Sequence, residues 1–109
     1  MVYKVVAFSG SLQKASCNTG LLRAAVELKV PDLEIEIIDI SDWPHLNPDL
    51  IINGKFPAPV ENARQKVIKA DAVLFAIPEY NYRVSAPLKN CYDWLSISTD
   101  PANVPSPLK

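Results

Sequence analysis

Val2-Tyr3-Lys4-Val5-Val6-Ala7-Phe8-Ser9-Gly10-Ser11 is the stretch on which the fold turns. Its first part is a β-branched, apolar run of strand length, and the Ser-Gly-Ser that follows is turn chemistry. Just beyond it, Asn18-Thr19 make a good N-cap pair, and Leu21, Leu22, Ala25 and Leu28 recur at helical spacing with no breaker among them. A strand, a tight loop and a helix in this order open a βαβ unit.

Working outward, Pro31-Asp32 stops the helix, and Leu33 to Asp39 alternates at first and then turns wholly apolar, which predicts a second strand near a sheet edge. Between Ser41 and Pro57 lie three turn signals, Trp43-Pro44, Asn47-Pro48 and Asn53-Gly54. A long ordered loop in a small domain usually has a function, and Trp43, Leu50, Ile51 and Ile52 make this one a candidate contact between subunits. Pro59 suits the first turn of a helix whose buried stripe is Val60, Ala63, Val67 and Ile68. Ala72 to Ile77 is a continuous apolar strand of the kind buried on both faces, ended by Pro78. Glu79 to Ser85 is a loop rich in tyrosine and asparagine, and Ser85 caps a helix with Leu88, Cys91, Tyr92 and Leu95 as its apolar positions. A domain over 1–97 is thus followed by a proline-rich, aperiodic tail, 98–109, expected to be disordered. The order β-α-β-α-β-α calls for right-handed crossovers and a parallel sheet with helices on both faces.

Charge and composition narrow the function. With 11 basic and 12 acidic residues in 109, the lysines scattered, no basic stripe is available to track a nucleic-acid backbone. No apolar run approaches the roughly 20 residues that span a bilayer, and the N-terminal run ends in a turn rather than a small-residue cleavage site. The cytoplasm is the expected compartment. Cys17 and Cys91 lack metal-ligand spacing and are expected as free thiols, Cys17 as a small filler residue. His45, the only histidine, sits in a Pro/Asn/Asp loop and is expected to be solvated.

In a doubly wound sheet, ligands bind beyond the carboxyl ends of the strands where the strand order reverses. The loops after the first and third strands occupy that position. Ser9 to Thr19 combines hydroxyl side chains with backbone amides at a helix start, which suits a phosphate monoester; taken alone, a plain structural turn fits as well. A dinucleotide site is disfavoured, because no G-x-G-x-x-G precedes Asp39. Pro78-Glu79-Tyr80-Asn81-Tyr82 places a fixed turn, exposed amides and two aromatic rings at the mouth of the third strand, where a planar cofactor could lie.

Together, S-G-S-L-x-K-x-S-x-N from Ser9 to Asn18 and P-E-Y-N-Y followed by S-A-P-L-K-N-x-x-D-W, ending at Trp94, resemble the NADPH-dependent FMN reductase family, and within it the plant NAD(P)H:quinone oxidoreductases. The resemblance runs from about Val2 to Trp94 and implies a flavodoxin-like, doubly wound α/β fold. It implies that Ser9, Gly10, Ser11, Gln13, Ser16 and Asn18 surround the phosphate of FMN, with Gly10 allowing close backbone approach. Gln13 stands where the family usually has arginine, so Lys14 is left to supply a point charge. Pro78, Glu79, Tyr80 and Asn81 would lie along the isoalloxazine, with Tyr82 and Arg83 on the substrate side. The implied activity is a two-electron, ping-pong reduction of a quinone or flavin by NADPH or NADH through bound FMN. No acid/base dyad and no metal are required.

The flavodoxin-like strand order is 2-1-3-4-5, and this chain is expected to fill it only as far as 2-1-3. The third strand then becomes an edge that invites pairing with another chain, either a second copy or a full-length relative. The alternative to a working reductase is therefore a truncated, non-catalytic fragment that binds flavin or forms a heterodimer.

Overall fold

The computed structural model describes residues 1–98 and 106–108. Its elements in chain order are β1 (Tyr3–Ser9), α1 (Cys17–Glu27), β2 (Leu33–Ile38), a 3₁₀ turn (Pro48–Leu50), α2 (Ala58–Lys69), β3 (Ala72–Ala76), β4 (Glu79–Tyr80), β5 (Arg83–Val84) and α3 (Ala86–Ser96). Three strands form one parallel sheet in the order β2-β1-β3, as expected, with Val6 opposite both Glu36 and Val73. Alternation along the central strand splits the core. Val6 and Phe8 point into the larger cluster shared with α2 and α3, while Ala7 meets Leu22 of α1 on the other face.

The helix boundaries follow local chemistry. Ser16, not Asn18 or Thr19, is the N-cap of α1: its Oγ accepts from the amides of Asn18 (3.2 Å) and Thr19 (3.3 Å). The helix ends before Pro31, because Leu28 is already the C-cap and Lys29 turns left-handed at φ 48°. Ser85 caps α3 as expected, accepting from the amide of Leu88. Three predicted stripes need correcting. On α1 only Leu22 is buried; Leu21 and Leu28 face solvent. On α2, Arg64 replaces Ile68, and on α3, Trp94 replaces Tyr92. In each case a helix inserted between two neighbours selects the side chain at the tighter seam, and hydropathy alone does not rank positions that are about 100° apart.

Arg64 shows how a cation enters a core. Its guanidinium lies 3.8 Å from the Phe56 ring centroid and donates 2.7 Å to the carbonyl of Trp94, in the last turn of α3. Burial draws its pKa below the ordinary arginine value, against the pull of Glu61. Phe56 in turn packs edge-on to Trp94, so one side chain ties α2, α3 and the long loop together. That loop is mostly exposed, but its two large aromatic residues, Trp43 and Phe56, are buried in the core. Trp43 sits edge-on to Phe8 with ring centroids 6.3 Å apart, and Ile51 is partly buried, so of the four residues expected at a subunit contact only Leu50 and Ile52 are exposed. Pro44 holds it down by accepting from Trp94 Nε1 (2.8 Å) and Asn90 Nδ2 (2.9 Å). His45 is exposed, as expected.

Most of the predicted tail, 99–105 and 109, lies outside the described residues. Of the remainder, Ser106 donates 3.2 Å to the carbonyl of Leu95, and Leu108 packs against the larger core cluster. Cys17 is exposed at the start of α1 rather than filling space, whereas Cys91 is fully buried. Among the described residues no helix is long and apolar enough to cross a membrane.

Two predictions follow from this packing. Arg64→Ala removes a charge-assisted hydrogen bond and a stacked stem, and is expected to lower unfolding free energy by about 2–3 kcal/mol in urea titrations. Burial pushes the Cys91 thiol up to about 12 from its ordinary 9.0. The unfolded thiol therefore loses its proton first, and stability should fall as pH rises above 9.0 toward about 12. Cys91→Ala should flatten that alkaline decline in pH-dependent melts, and an unchanged slope would contradict the assignment.

Candidate functional site

β1 delivers Ser9 and Gly10 to the carboxyl end of the sheet, and the path of the next residues is set by hydroxyls. Ser9 Oγ receives a hydrogen bond from Thr19 Oγ1 (2.9 Å), and the amide of Ser11 also points at it (3.3 Å). The amide of Gln13 donates to Ser11 Oγ (3.4 Å), and Ser16 donates its amide to the Gln13 carbonyl (3.1 Å) before capping α1. With those donors spent, the amides of Leu12, Lys14 and Ala15 find no acceptor among the described residues. They are the loop's free donors at the positive end of α1, a donor set that fits a phosphate monoester.

A cleft of about 500 Å³ opens beside this loop, bounded by Ser11, Gln13 and Lys14 on one side and by Asp39 and Ser41 at the end of β2 on the other. Thr19 and Arg23, one helical turn apart on α1, complete it. The Ser41 amide, donating 2.8 Å to Asp39 Oδ1, holds that carboxyl below the usual carboxylate range, with the Ser41 hydroxyl adding to the effect. The cleft thus carries two cations and one ionised carboxylate. Thr19 closes the hydroxyl loop that the sequence offers to a phosphate, whereas Arg23 and Ser41 are not singled out by sequence; the available signal for Arg23 was its i, i+4 spacing from Thr19 on a helix that starts at that loop. A larger cleft, about 670 Å³, lies at the opposite ends of the strands, among Lys4, Val26, Val30 and Lys69, away from the hydroxyl loop.

The third-strand loop is a hairpin. Glu79 pairs with Val84 and Tyr80 with Arg83, and the two-residue turn between them holds Asn81 at φ 52° and Tyr82 at φ 63°. Positive φ at both central positions is the turn geometry that matches strand twist. Asparagine takes it readily, whereas tyrosine adopts it at a cost. All of Glu79 to Arg83 is exposed, Tyr82 most of all at 87%. Arg83 donates to the Tyr82 carbonyl (3.2 Å) and otherwise faces solvent. None of these hairpin residues lines the 500 Å³ cleft.

Gly10 is where the two loops meet. Its amide donates 2.9 Å to the Ala76 carbonyl, and its own carbonyl accepts a 2.6 Å bond from buried Ser85 Oγ. A Cβ at this position would lie 2.8 Å from both Pro78 Cδ and Ser85 Oγ. The glycine is therefore needed for the third-strand loop to close on the first, a requirement distinct from approach to a ligand. Gly10→Ala is expected to cost about 1–3 kcal/mol of stability through this overlap, read as a lower melting temperature. A wild-type melt would show that the loops can part freely.

Known proteins share this fold. The family model for NADPH-dependent FMN reductase matches residues 3–106. An NADPH:quinone oxidoreductase of Arabidopsis thaliana is 58% identical over 96 residues, which are 85% of this chain and 49% of that protein. A Pseudomonas aeruginosa NAD(P)H-dependent FMN reductase is 46% identical, over 85% of this chain and 50% of the relative. Among solved structures, a flavoenzyme NAD(P)H:(acceptor) oxidoreductase of Paracoccus denitrificans superposes with a TM-score of 0.80 at 34% identity, covering 90% of this chain and 53% of that one. The chain spans about half the length of the relatives it matches. Hydroxyl loop, 2-1-3 sheet and third-strand hairpin thus occur in one chain with a match over nearly its whole length, and the chain belongs to the NADPH-dependent FMN reductase family.

Proposed function

We propose that this chain forms the FMN-holding half of an NAD(P)H-dependent quinone or flavin reductase. The observation that carries the reading is the Gly10 junction, because it fixes the hydroxyl loop and the tyrosine hairpin side by side at the carboxyl end of the sheet. A nucleotide with a phosphate at one end and a planar ring at the other presents groups suited to each.

Each group has work that follows from its chemistry. The free amides of Leu12, Lys14 and Ala15, with Ser9, Ser11, Gln13, Ser16 and Asn18, hold the phosphate; Lys14 and Arg23 supply the positive charge that Gln13 cannot. Pro78, Glu79, Tyr80 and Asn81 support the ring, and the exposed backbone of the hairpin turn offers it hydrogen bonds. Tyr82 and Arg83, the most outward part of the hairpin, meet the nicotinamide donor or the acceptor. FMN, when bound, supplies the exchange of two electrons between NAD(P)H and a quinone or flavin, so the protein's tasks are holding, orienting and stacking. The cytoplasm, where pyridine nucleotides are abundant, is the compartment that fits.

One observation bears on a second reading, a flavin-binding but non-catalytic fragment acting through a partner: among the described residues β3 pairs with β1 alone. Titration of FMN into folded protein, followed by flavin fluorescence and then anaerobic addition of NADPH or NADH, separates the readings. Saturable binding with bleaching of the yellow colour is expected. Binding without bleaching would move the conclusion to the second reading, and folded protein that leaves millimolar FMN unchanged would sink both.

A further inference from the structure

The cleft beside the hydroxyl loop holds more than a phosphate monoester uses. Lys14 of the loop and Arg23 of α1 both line it, and neither forms an ion pair among the described residues. Asp39, at the end of β2, lines it as well and pairs with neither cation. Its Oδ1 accepts from the Ser41 amide instead. A carboxylate repels a phosphate, but it is a strong acceptor for the hydroxyls of a sugar. In a doubly wound sheet, an acidic side chain at the end of the second strand stands where a ribose is met.

The cleft also lies on the flank of the loop away from the hairpin. Ile37 of β2 lines it, and no residue from Glu79 to Arg83 does. Strands 4 and 5 of a 2-1-3-4-5 sheet lie beyond β3, so the β2 side is the outer flank of a five-stranded sheet too. A flavin mononucleotide with its phosphate in the loop and its ring toward the hairpin therefore leaves the Asp39 end unfilled. What would extend such a ligand past its phosphate is a second phosphate, a ribose and a base.

We propose that this cleft takes the adenylate that extends FMN into FAD, an inference that rests on the flavin reading given above. The amides of Leu12, Lys14 and Ala15 hold the first phosphate, and Arg23 meets the second. Asp39 accepts from the ribose hydroxyls. The base lies against Leu12 and Ile37; Leu12 is 51% exposed and gains cover there. A volume of about 500 Å³ is in the range that buries a group of this size. The glycine fingerprint of other dinucleotide sites is absent before Asp39, and its work of presenting backbone amides to phosphate falls here to the hydroxyl loop.

Equilibrium dialysis of the chain against FMN, FAD and ADP tests this. FAD is expected to bind at least as tightly as FMN, and ADP to displace FAD. Asp39→Asn should weaken FAD and ADP by about tenfold or more while FMN stays within about twofold. The Oδ1 of asparagine can still accept from the Ser41 amide, so this variant keeps the local fold, which far-UV circular dichroism checks. FAD binding more than about tenfold weaker than FMN, or an FAD-to-FMN ratio unchanged by Asp39→Asn, would overturn the proposal and leave the mononucleotide reading standing. Failure of both flavins to bind would instead overturn the flavin reading, and this inference with it. Displacement of ADP by NADPH from protein that retains FMN would assign the cleft to the electron donor, which also overturns the proposal.

Discussion

Two loops from the ends of different strands can share a few ångströms of space only where one of them has no side chain. Gly10 meets that constraint, and much of the site geometry descends from it. Its amide extends the β1–β3 ladder by one bond, its carbonyl takes the hydroxyl of Ser85, and Ser85 in turn caps α3. One small residue therefore couples the phosphate-type loop, the hairpin and the start of a helix whose far end is held by Arg64. The candidate site is rigid at its centre because buried hydrogen bonds meet there, and exposed at its outer rim, where the hairpin extends into solvent.

The long segment between β2 and α2 illustrates how aromatic residues are allotted. Its turn signals predict an irregular path, and the path is irregular, but Trp43 and Phe56 bury against Phe8 and Trp94 instead of facing a neighbour. Trp94 Nε1 and Asn90 both spend their donors on Pro44, whereas the indole N–H of Trp43 is buried with no acceptor among the described residues. A loop that closes one end of a core is held by such contacts, and its exposed large apolar residues, Leu50 and Ile52, are too small a patch to define a docking site by themselves.

The 2-1-3 sheet makes the central strand β1 the best protected and leaves β2 and β3 as edges of opposite character. Lys66 and Glu36 decorate one; the other is bare. The contrast has a simple source. β2 alternates because one of its positions in two meets water, whereas β3 is composed for burial on both faces and is covered on only part of them.

Much of this was legible in the amino-acid order alone. A β-branched run ending in Ser-Gly-Ser, a capped helix, an alternating strand and a fully apolar strand restrict the chain to a parallel α/β sheet, since period and turn chemistry are local properties. The residue types suited to phosphate and ring contact were equally legible, because hydroxyls at a helix start and tyrosines at a strand end keep their chemistry in any context. Tertiary structure decided the rest. Ser16 displaced Asn18 as the cap, Arg64 and Trp94 entered the core in place of Ile68 and Tyr92, and Arg23 joined the cleft from a helix that sequence had assigned to packing. Gly10 proved to be required by Pro78 and Ser85, residues some seventy positions away. Such choices depend on which surfaces meet at distances of a few ångströms, and steric exclusion between segments remote in the chain leaves no periodicity by which to anticipate it.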